Sequence, residues 1–136
     1  MFSSIPLTAE KQRRRVFLVL LLLIFVPTLH AQDTPADNWS QFRGNSRNTG
    51  VSDSKVPTDL KLLWTFEAGD SIESSAAVVG GTVFVGSQKG ELVSLNLDNG
   101  AVYWKYDAGN PIGESSPAYS DGKVYVGDLG GVLHES

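Results

Sequence analysis

Two short runs place hydroxyls directly after a carboxylate: Glu73-Ser74-Ser75 and Glu114-Ser115-Ser116. A serine becomes a nucleophile only beside a base that takes its proton, and a carboxylate holds a metal only when further donors converge on the same point. The sequence offers little to complete either set. Its two histidines, His30 and His134, have no metal-ligand neighbour at usable spacing. Asn96-Leu97-Asp98-Asn99-Gly100 has the oxygen-rich look of a calcium loop but lacks the later Glu that completes one. Arg43 and Arg47 could hold an anion, although a surface role is the expectation for both. The serine pairs are therefore expected to satisfy backbone groups where a strand begins, and Glu73 and Glu114 to be solvated loop carboxylates. No catalytic, cofactor-binding or metal-binding residue is assigned.

What must position these groups is a repeated unit. With Trp64 laid on Trp104 and one residue inserted at Gly113, fourteen positions become identical: Trp64/Trp104, Ala68/Ala108, Gly69/Gly109, Ile72/Ile112, Glu73/Glu114, Ser74/Ser115, Ser75/Ser116, Ala77/Ala118, Gly81/Gly122, Val83/Val124, Val85/Val126, Gly86/Gly127, Gly90/Gly131 and Leu92/Leu133. Phe66/Tyr106, Glu67/Asp107 and Phe84/Tyr125 match in chemistry. A period of about forty residues indicates a solenoid, propeller or array.

The repeat begins well inside the chain. Residues 1–31 have the layout of an export signal: Lys11, Arg13, Arg14 and Arg15 precede an apolar run from Val16 to Val26, followed by Pro27 and a polar tract ending at Ala31. That run is shorter than the ~20 apolar residues a spanning helix needs, so cleavage after Ala31 is expected rather than a stable membrane span. An uncleaved anchor is the alternative. Arg14-Arg15-Val16-Phe17-Leu18 partly resembles a twin-arginine signal, but its Leu-rich core favours general secretion. The expected destination is the periplasm or the cell exterior.

Without residues 1–31, seven basic and fourteen acidic groups remain, a formal charge of −7. Single lysines scattered among carboxylates do not form the basic patch that phosphate contacts require, which excludes nucleic acid as a partner. The absence of cysteine excludes disulfides, thiolate metal sites and a lipid-bearing Cys.

Residues 32–60 show neither strand nor helix period and form an N-terminal segment. From there the chain is a series of short β-type runs: 62–67, 75–79, 82–87, 91–97, 101–107, 117–120, 123–127 and 131–134. Gly80-Gly81, Asn99-Gly100 and Asp121-Gly122 are pairs that accept positive φ in tight hairpin turns, and connections this short make neighbouring strands antiparallel. Val83-Phe84-Val85 and Val124-Tyr125-Val126 are apolar at three successive positions, so both faces of each sheet must be covered. The expected fold is all-β: an incomplete β-propeller of four-stranded antiparallel blades over residues 61–136, with one full blade and two partial ones. Since ring closure is what removes exposed strand edges, the isolated chain is expected to self-associate, as an N-terminal piece of a longer protein would.

Ser94 to Trp104 resembles the tryptophan-docking motif of pyrroloquinoline-quinone (PQQ)-like propeller repeats, commonly Ala-x-Asp-x-x-Thr-Gly-Lys-x-x-Trp. Gly100 and Trp104 match it; Ser94, Asn96, Asn99 and Ala101 depart from it. Trp64 with Gly69, Ser115-Ser116-Pro117-Ala118 and the run from Asp121 to Gly127 are also typical, and Asn38-Trp39-Ser40-Gln41-Phe42-Arg43-Gly44 resembles the opening of secreted bacterial members. The resemblance implies that Trp64 and Trp104 lie in seams between blades. It also implies two classes of function. One is a binding scaffold for a protein or an extracellular polymer, similar to the quinone-free propeller of the outer-membrane assembly machinery. The other is a PQQ-dependent dehydrogenase of alcohols or sugars, whose adjacent-cysteine disulfide, calcium site and catalytic Asp have no counterpart among these residues. The scaffold is the preferred reading, because the repeat alone carries no chemistry.

Overall fold

The computed structural model describes residues 38–136. The expectations for residues 1–31, including cleavage after Ala31, lie outside the described residues. Among those described, no helix is long and apolar enough to cross a membrane.

Seven strands follow one another: β1 (Ala77–Val79), β2 (Thr82–Gly86), β3 (Glu91–Asn96), β4 (Val102–Asp107), β5 (Ala118–Ser120), β6 (Lys123–Gly127) and β7 (Leu133–Glu135). They form two antiparallel meanders, a four-stranded sheet β1-β2-β3-β4 and a three-stranded sheet β5-β6-β7. The turns explain the order. Gly80 and Gly81 have φ of 56° and 78°, and Asp121 and Gly122 have 51° and 84°, the doubly left-handed backbone that reverses a strand within two residues.

Asn99-Gly100 differs from the expected tight turn, since only Gly100 has positive φ, at 71°. Asn96 is the cause. Its side-chain oxygen accepts from the backbone N–H of Asp98 (2.9 Å) and Asn99 (3.1 Å), while its carbonyl accepts from Gly100 N (2.9 Å). These bonds wind the loop into an Asx-type turn.

Both faces of the four-stranded sheet are covered. Val83, Val85, Val93 and Leu95 are buried on one face against Trp64 and Phe66, while Ala77, Phe84 and Leu92 on the other pack with Ile112, Val124 and Val126 of the following unit. Phe84 stacks on Tyr119 across this second seam with centroids 5.9 Å apart. Fully burying one such side chain contributes about 1.5–3 kcal/mol, so each seam is a substantial source of stability. Gly86 has no room for a side chain, because a Cβ there would overlap Ile112.

Two departures concern the chain before β1. Residues 62–67, expected as a strand, have no regular strand structure, because no neighbouring strand is present for them to ladder with. Conversely, Trp39 in the supposedly structureless N-terminal segment forms a β-bridge with Val78, exchanging bonds of 2.7 and 2.8 Å. The next residue, Ser40, accepts from Tyr119 N at 2.8 Å. Residues 39–40 thus strap the inner strands of the two sheets together.

Candidate functional site

The features that set this molecule apart lie in its two seams. In the first, the Trp64 indole donates from Nε1 to the Leu97 carbonyl at 2.8 Å and lies on Gly100. A Cβ on residue 100 would stand 2.6 Å from Trp64 Cδ2, so a side chain there would displace the ring. Ser94, buried to 1%, pairs across the ladder with Trp104 just before a β-bulge that brings Leu95 opposite Val102. Asn99 closes the loop by accepting from Ala101 N at 2.9 Å.

Trp104 takes the corresponding position at the second seam. It packs on the cluster containing Val124 and Val126, as Trp64 packs on that containing Val83 and Val85. Its ring centroid is 5.9 Å from that of Phe84.

The serine pairs act on backbone. Ser74 Oγ donates to Gly86 O (3.0 Å) and accepts from Gly86 N (3.3 Å), and in the next unit Ser115 Oγ accepts from Gly127 N at 2.9 Å. Ser116 Oγ accepts from Ser75 N at 3.1 Å, joining the two pairs. Glu73 accepts from Gln88 Nε2 at 2.5 Å. Arg43 lies over the Phe42 ring, 5.9 Å from its centroid.

A buried polar set in the second seam escaped the sequence reading. Asp128, 9% exposed, accepts from Val132 N (2.8 Å), Asn110 Nδ2 (3.1 Å) and His134 Nε2 (3.1 Å). An ionised carboxylate only accepts, so Nε2 carries the hydrogen and a neutral imidazole leaves Nδ1 as acceptor for the Tyr106 hydroxyl, 3.0 Å away. The Val132 amide, then His134 and Asn110, hold the Asp128 carboxyl down at about 2. The signal was available: by the repeat alignment, Tyr106 and His134 stand where the first unit has Phe66 and Val93.

The chain Asp128–His134–Tyr106 has the connectivity of a proton relay, but it spans two sheets and its members satisfy one another. No buried side-chain nitrogen or oxygen among the described residues lacks a partner. It fastens β4 to β7. Donors for a calcium-held quinone are not brought together either: no group of three His, Cys, Asp or Glu among the described residues could share a metal ion.

Repeated antiparallel sheets, stacked face to face with an indole at each seam, define a protein of the PQQ-like repeat class. A family model described as outer membrane protein assembly factor BamB matches residues 52–135, and the chain belongs to this PQQ-like β-propeller repeat family. No curated protein matches the chain.

Proposed function

We propose that this chain is part of an exported β-propeller that serves as a scaffold, binding another protein or an extracellular polymer in the periplasm or outside the cell. The observation that carries the reading is the family match, whose description is that of an outer-membrane assembly factor. The seams support it, since their polar groups are consumed in holding sheets together. The layout of residues 1–31 supports export.

Two measurements test the proposal. Cell fractionation with N-terminal sequencing should find the protein outside the cytoplasm, starting at Gln32; retention in the cytoplasm would count against export. Titration with pyrroloquinoline quinone and calcium, read by absorbance and dye reduction, should show no turnover. Tight quinone binding with substrate-dependent reduction would replace the scaffold by a dehydrogenase.

A further inference from the structure

The two sheets are unequal in a complementary way. The second sheet has three strands, and β7 is paired on one side only. Residues 62–67, which the repeat places in register with β4, have no sheet: the backbone of residues 61–68 makes no hydrogen bond among the described residues. One sheet lacks an outer strand, and one outer strand lacks a sheet.

They cannot meet within one chain. Trp64 and Phe66 lie on the face of the first sheet opposite to the one that holds the second sheet. The apolar exposures repeat the same complementarity. Leu92 is fully buried by the unit that follows it, whereas its equivalent Leu133 is 73% exposed. Ile112 is fully buried beneath the sheet preceding it, whereas its equivalent Ile72 is 46% exposed. Each exposed residue is one half of a contact that the second seam displays complete.

We infer that a second copy of this chain docks head to tail, its residues 62–67 adding as the fourth strand beside β7 and its Ile72 seating against Leu133. The β3–β4 register, in which Glu91 faces Asp107 and Leu92 faces Tyr106, carries over directly. It sets Val132 opposite Glu67 and Leu133 opposite Phe66 of the other copy. Strand addition supplies backbone bonds to both unpaired edges, and the seam supplies apolar burial. The contact is heterologous, so it closes into a ring or propagates. Each chain contributes its own four-stranded sheet and shares in one more, so a ring of roughly two to four copies would hold the roughly four to eight blades at which propellers close. The inference concerns assembly and is independent of what the propeller binds.

The test uses the protein expressed from its full sequence. Light scattering across micromolar concentrations should give a discrete mass of two to four chains. Because the chain has no cysteine, Glu67→Cys and Val132→Cys report on the new ladder alone. Both positions are exposed in the single chain, and facing residues in an antiparallel pair lie within disulfide reach. Mixing the two single variants should give a cross-linked dimer under oxidation, which neither gives as efficiently alone. Ile72→Asp should weaken assembly at least about tenfold while leaving the far-ultraviolet spectrum unchanged, because Ile72 is not part of the single chain's core. A strictly monomeric protein, an assembly indifferent to Ile72→Asp, or mixed variants that fail to cross-link would overturn the inference.

Discussion

The first seam is closed by an indole on a glycine over an apolar cluster, and the second places a hydrogen-bonded set of ionisable groups beside a similar cluster. At equivalent positions the first has Phe66, Ser87 and Val93, and the second has Tyr106, Asp128 and His134. Backbone geometry is shared: Ser87 N donates to Glu91 O at 3.1 Å, and Asp128 N donates to Val132 O at 3.0 Å. One scaffold position therefore tolerates two chemistries, provided the polar version is complete. A hydrogen-bonded set contributes little net stability yet costs much when one member is lost.

The largest effects should come from what the seams have in common. Leu92→Ala empties the second and Leu95→Ala the first; each should lose about 2–5 kcal/mol in urea denaturation at one fixed protein concentration. A much smaller loss for one of them would mean that the seams are not equivalent in packing.

Next comes the polar set. His134→Val alone removes the imidazole from both Asp128 and Tyr106 and should cost about 1–3 kcal/mol. The triple exchange Tyr106→Phe, Asp128→Ser and His134→Val, which installs the first seam's residues in the second, should cost less than that single change. If the triple variant is the worse of the two, complementarity within the set is not what matters.

Trp64→Phe keeps an aromatic ring over Gly100 but deletes the bond to Leu97, for an expected loss of about 0.5–1.5 kcal/mol.

The smallest effect is with acid. The Asp128 carboxyl is held at about 2, below its ordinary 3.8, so its contribution is present above the ordinary value and is lost as pH falls toward 2. Glu91 and Glu135, lowered chiefly by their bonds to Lys89 and Lys123, act in the same direction. The comparison is therefore with the triple variant, whose thermal midpoint should fall less between pH 4 and 2. Equal falls would remove Asp128 from the account.

How much of this was legible in the residues depended on range. Turn chemistry is local, so Gly80-Gly81 and Asp121-Gly122 could be read as reversals and the strands between them bounded within a residue or two. Asn99 was misread because a competing side chain, Asn96, captured the turn. The state of residues 62–67 could not be read locally at all: strand structure belongs to a pair, and their partner is not in their own sheet. The Asp128–His134–Tyr106 set needed both the register of β6 on β7 and the stacking of one sheet on another. Its trace was the joint replacement of an apolar pair by a polar one at matched repeat positions.

The strap at Trp39 and Ser40 fixes where the molecule can give. With one residue tied to Val78 and the next to Tyr119, the inner edges of the two sheets are held a single peptide unit apart. Any splaying must swing open about that corner like the covers of a book about its spine, and the gap would widen toward β4 and β7, where the tyrosine, histidine and aspartate form the clasp.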